Sequence, residues 1–120
     1  MIIGTGIDII ELKRIKQTME QQSRFVSRVL TERERAYYLQ ITSQRRKVEF
    51  LAGRFAAKEA FAKAAGTGIG SLGFQDMEVL ADEQGAPIMT VTGYESYSIF
   101  VSISHSEAYA IAQAIIEGKE

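Results

Sequence analysis

The sequence predicts an α+β protein in which a long helix packs on an antiparallel sheet. Two observations support this prediction. Apolar residues recur at helical spacing between Glu11 and Ala65, whereas the segments after Gly73 are rich in β-branched residues and separated by turn residues. Helices gathered in one part of a chain and strands in another are typical of the α+β class. Because there is no linker, repeat or low-complexity segment, residues 1–120 are expected to form a single domain.

The first ten residues, MIIGTGIDII, alternate between two faces and predict a strand. One face has side chains that suit a sheet, namely Ile3, Thr5, Ile7 and Ile9. The other face has Gly4, Gly6 and Asp8. We expect this strand to join the sheet of the second half, with Asp8 on a face where its neighbours have no side chain.

A first helix is predicted from Glu11 to about Gln22. If it continued, Arg24 and Arg28 would join Arg14 on one basic side. All ten bases of the first half lie between residues 11 and 47, where only four acids occur, although the net charge of the whole chain is −1. Such a surface suits an acidic protein partner, a nucleic acid or an anionic surface, and it equally suits a solvated helix face.

Two further helices precede the other strands. The segment TERE, beginning at Thr31, matches a capping box and predicts a helix to Gln40. The longest helix is expected from Ser43 to Ala65, with Gly66 as its C-cap. Four strands are then expected, in FQDMEVLA, PIMTV, SIFVSISH and AYAIAQAII, the last two as a hairpin.

The composition excludes several classes of protein. With no cysteine, the chain can form no disulfide framework, thiolate metal site or cysteine nucleophile. It has no apolar run long enough for a membrane span, and its first residues lack the pattern of a signal peptide. We therefore expect a soluble cytoplasmic protein that does not bind a membrane.

Glu59 falls in the middle of the apolar stripe of the longest helix, where a carboxylate must find a partner. If Asp8 faces it from the first strand, the two carboxylates can share Mg²⁺, which is typically held by one or two carboxylates with waters and substrate phosphates. The alternative is structural. Glu59 would then pair with Lys63 four residues later, and Asp8 would cap the helix that starts near Ile10.

The glycines near residue 70 formally match the dinucleotide-binding pattern G-x-G-x-x-G. They follow a helix and precede a strand, the reverse of the order that this motif requires, so a Rossmann fold is not indicated. Lys58 and Lys63 flank Glu59, and together with exposed backbone amides they would suit a polyphosphate. A plain connection between helix and strand is the other interpretation.

His105 is the only histidine, and it ends a predicted strand. A lone histidine there is more often structural than catalytic. Nearby serines do not make a catalytic triad, because the triad residues must come together from different segments.

Four segments in order, GIDII, FAAKEAFAKA, GTGIG and VSISHS, resemble the holo-acyl-carrier-protein synthases, the short bacterial type of 4′-phosphopantetheinyl transferase. The resemblance covers essentially the whole chain. It implies the fold of that family and transfer of the 4′-phosphopantetheine group from coenzyme A to a serine of apo-acyl carrier protein, in fatty acid biosynthesis. The second product would be adenosine 3′,5′-bisphosphate.

The resemblance also implies roles for particular residues. Asp8 and Glu59 would hold Mg²⁺, Glu59 would help deprotonate the serine, directly or through a water, and Lys63 would neutralise the leaving phosphate. The coenzyme A phosphates would lie near a set of polar and glycine residues, Arg54, Lys58, Lys63, Gly66, Thr67 and His105. Ile10 stands where long family members have a second acidic residue, so we expect a water there.

Partners follow from the same resemblance. Short family members assemble as trimers with active sites between subunits, so His105 would reach a neighbour's metal site. The acidic carrier protein would dock on Arg14, Arg24 and Arg28. Two alternatives remain at this point: a nucleic-acid-binding module that uses the arginines, and another Mg²⁺-dependent phosphotransferase or nucleotide hydrolase. The near-neutral charge and the absence of tryptophan argue against nucleic acid.

Overall fold

A computed structural model describes residues 1–66 and 72–119. The helices and strands in chain order are β1 (Ile2–Glu11), α1 (Leu12–Gln21), α2 (Phe25–Val29), α3 (Glu32–Gln40), α4 (Gln44–Ala65), β2 (Met77–Ala81), β3 (Pro87–Val91), β4 (Tyr97–His105) and β5 (Tyr109–Gly118). A 3₁₀ turn, Phe74–Asp76, precedes β2. The α+β class is confirmed.

The main sheet has the order β1-β5-β4 with both pairings antiparallel, so β1 does return to join the last hairpin. Helix α4 packs on one face of this sheet. The glycines of β1 allow a very close approach, because a Cβ on Gly6 would lie 2.0 Å from the carbonyl oxygen of Ala60 and one on Gly4 would lie 2.0 Å from that of Ala64. The glycine face of β1 is therefore the face on which α4 lies.

The other two strands, β2 and β3, pair antiparallel in a separate sheet. Their turn is closed by Asp82, whose Oδ1 accepts hydrogen bonds from the amides of Gln84 and Ala86, and Gly85 adopts a positive φ of 85° there. The chain thus divides its strands between two sheets. The predicted strand at FQDMEVLA begins only at Met77, because Phe74–Asp76 forms the 3₁₀ turn.

The helix ends agree with the sequence signals in most places. Thr31 and Glu34 form the predicted capping box of α3, and Gly66, with φ 77°, caps α4. Helix α1, by contrast, ends at Gln21, and α2 starts afresh at Phe25. The first helix therefore ends close to the predicted Gln22 and does not run on through Arg24, whereas α2 is a helix that the sequence did not predict.

Two apolar clusters hold these elements together. One lies between α4 and the inner faces of both sheets, around Phe61, Val79 and Ile116. The other joins the three short helices to the first half of α4 around Leu30 and Leu51. Within the described residues, no helix is both long enough and apolar enough to cross a bilayer.

Candidate active site

Asp8 and Glu59 face each other from β1 and α4. Asp8 follows Gly4 and Gly6 on the face that α4 covers, and both carboxylates are partly buried. Burial raises the pKa of Glu59, and the Asp8 carboxylate raises it further, with Lys63 opposing both. The two acidic groups are therefore close enough to repel, and a cation between them would relieve the repulsion.

Lys63 lies beside this pair. Its Nζ donates hydrogen bonds to Oδ1 of Asp8 and to the carbonyl oxygen of Ile7, both at 3.0 Å, and its side chain is 54% exposed. The structural alternative required an ion pair between Lys63 and Glu59 and a helix cap by Asp8. Instead Lys63 pairs with Asp8, and helix α1 begins at Leu12 with no side-chain cap.

The side chains of Asp8 and Glu59 fit Mg²⁺, because both offer hard carboxylate oxygens. Two neighbouring carboxylates also concentrate negative charge, which a cation would offset. Among residues 1–66 and 72–119 no group of three or more histidine, aspartate or glutamate side chains forms a metal cage. Two carboxylates suffice for Mg²⁺ only if water or substrate oxygens supply the other ligands.

A cleft of about 550 Å³ opens between α4, the end of β4 and the β2–β3 sheet, with Arg46, Arg54 and His105 in its lining. Arg54 lies 4.2 Å above the ring of Phe50, and Tyr37 stacks on that ring from 5.1 Å. In the part of the chain that the structure describes, Nε of Arg54 is the only buried side-chain polar atom without a hydrogen-bond partner. Burial lowers the pKa of Arg54. A partly buried guanidinium with an unused donor is suited to an anion.

His105 lies at the exposed end of β4, where its Nδ1 is 3.7 Å from Oε2 of Glu49. The same oxygen is 3.2 Å from Nε of Arg45, and Nη2 of Arg45 donates a weak 3.4 Å hydrogen bond to the carbonyl oxygen of Glu107. Glu49 thus lies between the guanidinium of Arg45 and the imidazole of His105. The sequence analysis missed Glu49, whose only signal was its position four residues after Arg45.

The two groups of predicted site residues lie apart within one chain. Asp8 pairs with Ala112, which pairs in turn with Ile103, two residues before His105. The backbones of Asp8 and Ile103 are two strand spacings apart, about 10 Å. Neither Asp8 nor Glu59 lines the cleft of Arg54 and His105.

Lys58 does not lie where it was expected. Its side chain is fully buried, and its Nζ donates to Oε1 of Glu34 at 2.6 Å, to the carbonyl of Val29 at 2.7 Å and to that of Phe74 at 3.2 Å. Burial lowers the pKa of Lys58, and Glu34 opposes that shift. All three ammonium donors are used inside the protein, so the expectation that Lys58 contacts coenzyme A phosphates is wrong for this conformation.

The glycine segment is described only in part. Gly66 is exposed at the end of α4, one turn after Lys63. Thr67, which was expected near the phosphates, lies outside the described residues. A larger cleft of about 810 Å³ beside β3 contains none of the predicted site residues in its lining.

The basic residues Arg14, Arg24 and Arg28 are all exposed, on α1, in the connection and on α2. None of the ion pairs found within residues 1–66 and 72–119 involves them. Their charges are therefore available to a partner, although they come from two helices rather than from one continuous face.

Comparison with known proteins identifies the class to which this fold and site belong. Residues 4–114 match the model of the 4′-phosphopantetheinyl transferase superfamily, so the chain belongs to that family. The resemblance inferred from the four sequence segments is confirmed.

Individual relatives of the chain share one more specific description, holo-[acyl-carrier-protein] synthase. The chain is 52% identical to the holo-[acyl-carrier-protein] synthase of Oceanobacillus iheyensis over 120 residues, with all of both chains covered. It is 57% identical to that of Geobacillus sp. (strain WCH70) over 118 residues, with 98% of each covered. Its structure resembles a holo-(acyl-carrier-protein) synthase from Bacillus anthracis in complex with coenzyme A (3′,5′-ADP), with a TM-score of 0.91, 46% identity and 99% of each chain covered. A Helicobacter pylori holo-[acyl-carrier-protein] synthase in complex with coenzyme A gives a TM-score of 0.81 at 32% identity, covering 94% of this chain and 99% of that one.

Proposed function

We propose that this chain is a holo-acyl-carrier-protein synthase. A serine hydroxyl of apo-acyl carrier protein attacks the phosphorus that carries the pantetheine arm of coenzyme A. The new bond joins that phosphorus to the serine oxygen, the bond to the bridging oxygen of the diphosphate breaks, and adenosine 3′,5′-bisphosphate leaves. The full-length similarity to holo-acyl-carrier-protein synthases, two of them solved with coenzyme A or its 3′,5′-ADP part, supports this function.

The observation that carries the proposal is the close pair Asp8 and Glu59 with Lys63 beside it. Asp8 and Glu59 would hold Mg²⁺, which supplies charge stabilisation to the diphosphate when bound. Glu59 accepts the serine proton, directly or through a water. Lys63, half-exposed and only 3.0 Å from Asp8, is available to neutralise the charge that develops on the leaving phosphate.

A trimer is part of the proposal, and an uncovered apolar surface supports it. The sheet face opposite α4 has Ile3, Ile7 and Ile9 exposed by 52%, 56% and 59%, and Phe100 of β4 by 54%. Contiguous apolar surface of this kind marks an interface in a water-soluble protein. Nothing in residues 1–66 and 72–119 packs over this face.

Assembly would also join the two separated groups of site residues. We assign Asp8, Glu59, Lys63 and Gly66 of one subunit to the diphosphate. Arg54 and His105 of a neighbouring subunit would bind a further phosphate of the same coenzyme A, since both line one cleft and their own Asp8 does not.

This assignment can be tested with mixed assemblies of E59Q and H105A chains. Each variant alone would be inactive or impaired. In a mixed trimer, an interface that takes Glu59 from the H105A chain and His105 from the E59Q chain is intact, so coexpression is expected to restore part of the activity. Activity no higher than the average of the two variants would contradict a site shared between subunits.

The acidic carrier protein would dock on Arg14, Arg24 and Arg28, whose exposed charges steer association. A place in fatty acid biosynthesis, a cytoplasmic location and the absence of nucleic-acid or membrane partners complete the proposal. The nucleic-acid alternative, which uses the arginines, leaves Glu59 and Lys63 as an intrahelical pair, whereas Lys63 pairs with Asp8.

The test of the metal site is E59Q, with D8N as a second variant. Both should keep the fold, because the side-chain volumes are conserved, and both should lose metal-dependent transfer. Full activity of E59Q would contradict the assignment of Glu59 as ligand and base.

A further inference from the structure

Glu34 is a fully buried carboxylate with two cations around it, Lys58 and Arg54. Lys58 is also fully buried and forms a 2.6 Å ion pair with Oε1 of Glu34. Arg54 is one helical turn before Lys58 on α4, and it lines the same cleft as Glu34. The negative charge of Glu34 acts on both cations.

The hydrogen bonds of Glu34 decide which cation it neutralises. Its Oε1 accepts from Nζ of Lys58 and from the amide of Thr31 at 2.8 Å. Its Oε2 accepts from the amide of Val79 at 2.7 Å. With three donors already on its two oxygens, Glu34 binds Lys58, and no ion pair of Arg54 occurs within the described ranges 1–66 and 72–119.

Arg54 is consequently held near Glu34 without being neutralised by it. The guanidinium lies on the Phe50 ring, with its Nε buried and without a partner in the described chain. A guanidinium in this state gains more from an anionic ligand than one already bound to a carboxylate, because it gives up no internal partner on binding.

We propose that Lys58 is a positioning residue that keeps Arg54 free for an anionic group of the substrate by occupying Glu34. If Lys58 is removed, Glu34 becomes a buried carboxylate without a cation, and the guanidinium of Arg54 is the adjacent group that can compensate it. Arg54 would then turn from the cleft toward Glu34. This inference rests on the proposed role of Arg54 in binding a coenzyme A phosphate.

The decisive comparison is K58M against E34Q, which break the same ion pair from opposite sides. K58M leaves the carboxylate and should raise the KM for coenzyme A about ten- to hundredfold, the size of losing a charged hydrogen-bonding group. E34Q removes the charge that would capture Arg54, so its KM for coenzyme A should stay within about twofold of the parent value. A purely structural role predicts that both variants destabilise the protein and that neither changes KM selectively.

Two further variants show whether Lys58 acts through Arg54. R54Q should raise the KM for coenzyme A by a similar factor, and K58M added to R54Q should raise it no further, because the residue through which it acts is already gone. K119M, at an exposed lysine, controls for the loss of a positive charge. Thermal unfolding of each variant identifies the folded proteins for which KM is measured.

The outcomes distinguish failure of the proposed role of Arg54 from failure of the inference about Lys58. If R54Q leaves KM unchanged, the proposed role of Arg54 in coenzyme A binding is wrong, and the inference about Lys58 fails with it. If R54Q raises KM but K58M does not, or K58M and R54Q effects multiply, only the inference about Lys58 is wrong. Should K58M not fold, K58Q takes its place, and an unchanged KM for coenzyme A in folded K58Q would overturn the proposal.

Discussion

Gly6→Ala tests how the packing of α4 on β1 sets the geometry of the site. The change adds a single carbon, on the face of β1 that lies against α4. That carbon would lie 2.0 Å from the carbonyl oxygen of Ala60 and 2.7 Å from the amide nitrogen of Ala64. Both atoms are backbone, so no side chain can rotate away to make room.

The required displacement can be read from these distances. An ordinary van der Waals contact begins at 3.4 Å, so the gap at Ala60 must open by 1.4 Å, the difference between 3.4 and 2.0 Å. Asp8 is two residues along β1 and Glu59 is adjacent to Ala60, so the two carboxylates move apart with the backbone. Overpacking of this kind costs about 3 kcal/mol of unfolding free energy. A misplacement of roughly 1 Å can lower turnover about a hundredfold.

The assay pairs urea unfolding with phosphopantetheine transfer by the folded protein. Gly118→Ala is the matched control, because its added carbon would meet Cγ2 of Ile3 at 3.8 Å, an ordinary contact. The control should change the unfolding free energy by no more than about 0.5 kcal/mol. If G6A were as stable and as active as G118A, the close approach of β1 and α4 would not be what positions Asp8 and Glu59.

Three further results are expected. Burial and Asp8 raise the pKa of Glu59, so the stabilisation from its protonated form is complete below the ordinary value of 4.5 and is lost as pH rises through the raised pKa. Metal-free E59Q should therefore have a higher melting temperature than the parent protein at neutral pH, and the difference should disappear in acid. A lower melting temperature of E59Q at neutral pH would contradict the repulsion between Asp8 and Glu59. Charge reversal at Arg14 and Arg24 should raise the KM for the carrier protein and leave that for coenzyme A unchanged, so equal effects on both would refute the docking surface. Ile7→Lys on the uncovered sheet face should reduce the mass in light scattering to that of a monomer, whereas Ile88→Lys, also exposed but on β3, should not.

The elements of the fold with a local signal could be predicted from the sequence. The capping box at Thr31 and the αL glycine at Gly66 are local hydrogen-bond and backbone requirements, and both were found where expected. The division of the strands into two sheets was missed because it depends on long-range pairing. The end of the first helix near Gln22 was predicted, but the short helix α2 was missed, because its five residues are too few to show a helical period.

In the site, too, local features could be predicted and contacts between distant segments could not. Glycines at positions 4 and 6 indicated that Asp8 lies on an unusual face, and α4 does pack there. Lys58 was assigned to the coenzyme because it neighbours Glu59 in sequence. Successive helical residues point about 100° apart, so Lys58 faces the core and its partner Glu34 could be identified only from the folded chain.

The most direct test of the central claim is the intact mass of apo-acyl carrier protein after incubation with this protein, coenzyme A and Mg²⁺. We expect a mass gain of one phosphopantetheine group, formation of adenosine 3′,5′-bisphosphate, and loss of both when EDTA is added or E59Q is used. No mass gain with a correctly folded protein and several carrier proteins would contradict the transferase function. A gain that persists in EDTA would instead contradict the role of Asp8 and Glu59 as metal ligands.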